Sequence, residues 1–170
     1  MDNFPLAYLI TFSCYGSWLH GHSESSVDKD DNIPGTPLLK PNEFLESYEC
    51  RLMKYPPYYL DPQRRIIVLN AITNNCQMHE RILFVLHVRM THVHAVIQSA
   101  EKPERIVISI KASASHELNL SGLDTSNIKR WTKHASTKYL WRNENVERAI
   151  HYVLYEQGEP MSIYPSECLR

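Results

Sequence analysis

Several absences narrow the field first. No segment of the 170-residue chain approaches the roughly twenty apolar residues that a membrane-spanning helix needs. The opening Met1-Asp2-Asn3-Phe4-Pro5 has neither the basic region nor the long apolar run of a secretory signal. A cytoplasmic protein is therefore expected. The four cysteines, Cys14, Cys50, Cys76 and Cys168, are irregularly spaced and form no Cys-x-x-Cys pair. That speaks against a thiolate zinc site and against a disulfide framework, and fits buried or incidental thiols in a reducing compartment. The net charge is only -1, so no global basic field is present to attract nucleic acid. This weighs against a binder that relies on charge alone, and it leaves room for an enzyme with one basic groove. There is no internal repeat and no low-complexity tract. With 43% hydrophobic and 22% charged residues, residues 1–170 suit a single domain with a proper core.

What is present orders itself into alternating strands and helices. Leu6–Ser13 is rich in strand formers and reads as the first strand. A long loop follows at about residues 20–41, dominated by Ser, Asp, Gly and Pro from Ser23 to Pro41. His20 and His22 flank Gly21 at its start and read as surface residues. Asp28, Asp30 and Asp31 lack the calcium-loop spacing and read as solvated acids. Asn42–Tyr55 looks helical and exposed. Asp61-Pro62 is a helix start, with Asp as N-cap and Pro in the first turn, and the helix should run to about His79. Arg81–Arg89 is a strand that runs through a tight Met90-Thr91 connection into another. Glu101-Lys102-Pro103-Glu104 opens a helix whose stripe is Val107, Ile110, Ala114 and Leu118. Lys129–Arg142 carries five basic residues, no acid, and the aromatics Trp131, Tyr139 and Trp141. It reads either as a nucleic-acid surface or as a lysine-guarded sheet edge with its tryptophans in the core. A last helix starts near Asn143 and ends before Gly158, its buried stripe being Val146, Ala149, Ile150, Val153 and Leu154. The order strand-helix-strand-strand-helix-strand, plus a closing helix, is the βαββαβ pattern of a ferredoxin-like α+β domain with an antiparallel sheet.

The chemistry concentrates at Met90-Thr91-His92-Val93-His94-Ala95-Val96-Ile97. Side chains alternate along a strand, so His92 and His94 face one way, roughly 7 Å apart along the strand, and Val93 and Ala95 face a core. Two neutral imidazoles at that spacing can share a divalent cation, although His-x-His alone is often just a polar face. On the last helix, Tyr152 falls at the edge of the buried stripe with Glu156 one turn on. A regular helix sends Gln157 into the stripe, and a helix that loosens near Gly158 lets it swing to the same site as Tyr152.

Thr-His92-Val-His94 resembles the His-hydrophobic-His motif of single-tyrosine HUH nucleases. Tyr152-Val-Leu-Tyr-Glu-Gln157-Gly-Glu-Pro resembles the tyrosine motif of the REP-associated transposases in that group. Tyr15-Gly-Ser-Trp-Leu-His-Gly, Asn32-Ile-Pro-Gly-Thr-Pro and Trp131-Thr-Lys-His-Ala-Ser-Thr-Lys-Tyr-Leu-Trp are similar to one branch of the same family, so the likeness covers nearly the whole chain. The resemblance implies an HUH core and a transposase that nicks and joins single-stranded DNA, often with a hairpin or palindromic repeat beside the cleavage site. It implies Tyr152 as the nucleophile that forms a 5′-phosphotyrosine. It also implies Mg2+ or Mn2+ on His92, His94 and a third ligand. The family's third ligand is a Gln or Asn four residues after the tyrosine. Here that position is Glu156 and Gln157 follows, so amide chemistry favours Gln157 and helical geometry favours Glu156. A homodimer is compatible with this reading. Lys111, Trp131, Lys133, His134, Ser136 and Lys138 are the candidate DNA contacts. Two rivals remain. One is a DNA-binding protein with this fold and no activity; the other is a His-metal phosphodiesterase that uses water instead of Tyr152.

Overall fold

A computed structural model describes residues 4–17, 53–125 and 128–165. The loop at about 20–41, His20, His22 and the Asp cluster lie outside the described residues. So does most of the helix expected over Asn42–Tyr55, whose last three residues, 53–55, are not helical.

The elements run β1 (Ala7–Ser13), α1 (Pro62–Met78), β2 (Ile82–Val88), β3 (His92–Gln98), α2 (Pro103–Leu120), β4 (Ser136–Leu140), α3 (Asn143–Tyr155) and β5 (Ser162–Tyr164). The sheet order is β4-β1-β3-β2-β5, antiparallel throughout. The first four strands give the ferredoxin-like arrangement expected from the element order. β5 is an addition on the β2 edge that the sequence did not signal. The basic stretch after Lys129 is strand only over Ser136–Leu140, with an isolated bridge between Cys14 and Trp131.

Local signals explain the boundaries. Asp61 caps α1 by accepting from Arg64 N at 2.8 Å, and Pro62 fills the first turn, where a missing N–H costs nothing. β2 and β3 are joined through Met90-Thr91, with Arg89 N donating to His92 O at 2.9 Å.

Strand alternation divides the core between the two faces of the sheet. Ile10, Phe12, Val93, Ala95 and Ile97 face α1 and α2, where they meet Ile72, Ile106, Ile110 and Leu118. Leu9, Val85 and Val96 face α3, where they meet Val146, Ala149, Val153 and Leu154. Burying Val153 and Leu154 contributes about 1.5–3 kcal/mol each, which seats α3 on the sheet. Because Val96 belongs to the α3 face, so do His94 and His92, two and four residues earlier. Cys14 and Cys76 are free and buried, and burial pushes the Cys14 thiol up to about 12.

Candidate active site

The two histidines and the tyrosine line one cleft. His92 and His94 extend from the start of β3 with ring centroids 4.8 Å apart. The Tyr152 ring, on the last turn of α3, stands edge-on to His94 at 5.8 Å. Thr11, Ser136, Lys138 and Gln157 complete a cleft of about 380 Å³ with them, within the size range of small-ligand sites. Tyr152 is 37% exposed, so its phenol is neither sealed into the core nor free of the sheet.

Burial holds both imidazoles neutral. Burial pushes His92 down to about 4 and His94 to about 3; the Arg89 charge adds to the first shift, and His92 adds to the second. Each ring has a threonine hydroxyl at Nδ1: Thr11 Oγ1 at 2.8 Å from His94, and Thr91 Oγ1 at 3.0 Å from His92. With Thr11 at Nδ1, the other ring nitrogen, Nε2, is buried on the far side of the ring. The Gln157 side chain lies close enough to act on His94 as a hydrogen-bond partner, which raises its pKa against the effect of burial.

The two candidates for a third ligand part company here. α3 ends at Tyr155, and Glu156 is its C-cap. The Glu156 carboxylate turns to His151, whose Nδ1 is 3.1 Å from Oε1. Gln157 instead enters the cleft of the two histidines, its Nε2 donating to Tyr152 O at 3.2 Å. Gly158 follows with φ +74, a conformation that glycine takes at no steric cost and that turns the chain back toward β2. Among the described residues no group of three or more His, Cys, Asp or Glu could hold a metal. A set of two imidazoles and one amide lies outside that description, and its nitrogen and oxygen donors, held neutral in one cleft, suit a divalent cation.

The DNA-contact candidates separate in the same way. Ser136 and Lys138 line the cleft, and Lys133 and His134 are exposed. Lys111 points elsewhere. Its ammonium donates to Thr132 O at 2.9 Å and His134 O at 3.1 Å and lies over the Phe12 ring. Trp131 packs edge-on to Phe12, with Nε1 donating to Ser115 Oγ at 2.8 Å. Both hold the segment before β4 against the helices.

Three residues of the site region are not evident in sequence. Thr11 reaches His94 because Thr11 and His94 pair directly in the β1–β3 register, a non-local fact. Buried His87, opposite His94 on β2, is satisfied at both nitrogens: Nδ1 meets Val153 O at 3.0 Å, and Nε2 accepts from Met161 N at 3.2 Å. It fastens the end of α3 and the chain beyond it to the sheet. Arg89 acts on both site histidines and donates to Glu159 O at 3.0 Å; its position just before Thr-His92 was the available hint.

No family model matches the chain, and no curated protein matches it. One similar solved structure is a REP-associated tyrosine transposase bound to a REP hairpin. It is 9% identical, with a TM-score of 0.48, and the alignment covers 92% of this chain and 69% of that one. The relation is distant and at the level of fold. No helix among the described residues is long and apolar enough to cross a membrane.

Proposed function

We propose that this chain is a single-tyrosine HUH transposase that nicks and rejoins single-stranded DNA through a 5′-phosphotyrosine, with a hairpin or palindromic repeat beside the cut. The observation that carries the reading is the convergence of Tyr152, His92, His94 and Gln157 on one cleft of one chain. Because one chain supplies all four, the phenol can serve its own subunit's histidines, and a homodimer is not required.

His92, His94 and Gln157 would hold Mg2+ or Mn2+, which when bound draws charge from a non-bridging phosphate oxygen. Each residue of the chain then has a task. Thr11 and Thr91 fix the ring orientations of the two histidines. Lys138 and Ser136 receive the backbone phosphates at the cleft mouth. α3 brings the Tyr152 phenol to the cleft, from which its oxygen would attack in line with the scissile P–O3′ bond. The phenol loses its proton as the O–P bond forms, and the departing O3′ takes one up. The phosphoester energy stays in the tyrosyl link, so attack by a 3′-hydroxyl reverses the step without ATP. Glu156, tied to His151, takes no part at the metal.

The test uses a 5′-labelled and a 3′-labelled copy of a hairpin-bearing strand from DNA flanking the gene, with Mn2+. The wild type should leave a protein-linked 5′ end and a free 3′ end. Tyr152→Phe should bind the strand and leave it whole. A Tyr152→Phe variant that still cuts points to the water-using phosphodiesterase, and a wild type that shifts the strand without cutting points to the inactive binder.

A further inference from the structure

Within the basic stretch, the aromatic residues have divided roles. Trp131 is anchored in the core, as described above. Tyr139 and Trp141 are 48% and 47% exposed. Their rings lie side by side, centroids 6.2 Å apart and planes only 14° from parallel. Tyr139 is held from behind by the buried Tyr8 ring, edge-on at 5.3 Å. A rigid, water-exposed aromatic pair on an edge strand is a liability for a protein that has no use for it.

The surroundings indicate the use. A second cleft of about 280 Å³ runs between β4 and α3, and it shares Lys138 and Tyr152 with the histidine cleft. Its further lining includes Leu140, Asn145, Arg148 and the carboxylate-bearing Glu156, and it runs from the tyrosine to the exposed edge strand β4 on the α3 face of the sheet. Tyr139, paired with Tyr8 of the other core, and Trp141 stand round that edge on the opposite face. Lys138 and Arg148 line the second cleft, and Lys133 and Arg142 are exposed elsewhere on the same basic stretch. No acid occurs between Lys129 and Arg142; the next is Glu144, and Glu104 acts on Tyr8 from the helix side. Flat aromatic faces among cations match a chain of flat bases on a phosphate backbone.

We propose that Tyr139 and Trp141 form a stacking platform for an unpaired base of the single-stranded DNA whose phosphates follow Lys138 and Arg148 out of the Tyr152 cleft and round the exposed edge of β4. This deepens the function proposed above and rests on it for the direction of the strand. Stacking on a ring face is tolerant of sequence, so the platform holds the strand and does not read it.

The experiment is an anisotropy titration of the full chain with two fluorescein-labelled probes of equal length, oligothymidine and a wholly abasic strand. Trp141→Ala should weaken oligothymidine binding about five- to a hundredfold and leave abasic binding unchanged. Trp141→Phe should retain most of the affinity. Binding of oligothymidine should also quench tryptophan emission in the wild type, and Trp141→Ala should remove most of that quenching. Equal losses on both probes, or no loss on either, overturn the proposal. So does a wild-type dimer that Trp141→Ala dissolves without any base-dependent change, because a second copy would then be the occupant. The two proposals fail separately. Loss of the base-dependent effect with an intact Tyr152 adduct removes the platform alone. Base-dependent binding with no adduct keeps the platform and removes the nuclease.

Discussion

Thr11 Oγ1 stands 2.8 Å from His94 Nδ1, a contact between residues directly opposite each other in the β1–β3 ladder. The contact fixes the orientation of the His94 ring in the cleft. Replacing Thr11 with Val keeps the shape of the side chain and removes the hydrogen bond. We expect Mn2+ affinity, measured by calorimetric titration, to fall about 10–100-fold, with Thr11→Ser retaining most of it. An unchanged affinity in Thr11→Val would mean that the ring is held by packing alone.

Glu156 and Gln157 make opposite predictions in the same titration. Gln157→Ala should weaken Mn2+ binding, because it removes the only side-chain amide that lines the histidine cleft among the described residues. Glu156→Gln should not, because that carboxylate is engaged with His151. If Glu156→Gln is the variant that loses the metal, the third ligand has been assigned to the wrong residue.

Lys138 lines both clefts. Lys138→Ala should weaken binding of single-stranded DNA across unrelated sequences and lower the slope of log K against log salt by about one. A loss confined to one sequence would place Lys138 against a base instead of a phosphate.

Behind the site, Asp124 joins three elements. Its side chain is 3% exposed and accepts from Tyr58 at 2.7 Å, from Arg64 at 2.7 Å and from Arg130 at 2.8 Å. Burial alone would raise its pKa, but the three partners outweigh burial and the net shift is downward. The stability it contributes is therefore present above the ordinary carboxylate range and is lost as pH falls through its depressed folded value. Burial and the bond to Asp124 push Tyr58 up to about 12, so that contribution is present below about 10 and is lost between about 10 and 12. Asp124→Asn should cost about 3–5 kcal/mol in urea melts at neutral pH, because it leaves the buried Arg130 guanidinium without a countercharge, while Arg64 keeps Asp61. The difference from wild type should shrink in acid. A difference that does not change with pH would assign the effect to packing.

The strands and helices of this fold were legible where a period was long enough to read. The Asp61-Pro62 start, the stripe on α3 and the alternation at His92 and His94 are local patterns, and each appears where local chemistry predicted it. β5 was not legible, because three residues, Ser162–Tyr164, are too few to show alternation. Phe84 lies where the β2–β3 register shifts, and the uniform apolarity of β2 hides that shift from a count of alternating faces. The choice between Glu156 and Gln157 depended on where α3 stops, and helix ends are the least determined feature of a periodic pattern. Thr11 depended on strand register, which no window of neighbouring residues contains. The basic stretch offered two readings, and its tryptophans divide between inside and outside: Trp131 packs inward, and Trp141 is exposed.

The most direct measurement is to trap the wild-type protein on a hairpin-bearing strand, digest the complex and locate the nucleotide by mass spectrometry. The proposed mechanism predicts a 5′-phosphate esterified to the phenol oxygen of Tyr152 and to no other residue. A nucleotide on a different side chain, or a cut strand whose free 5′-phosphate is bound to no residue, would contradict it.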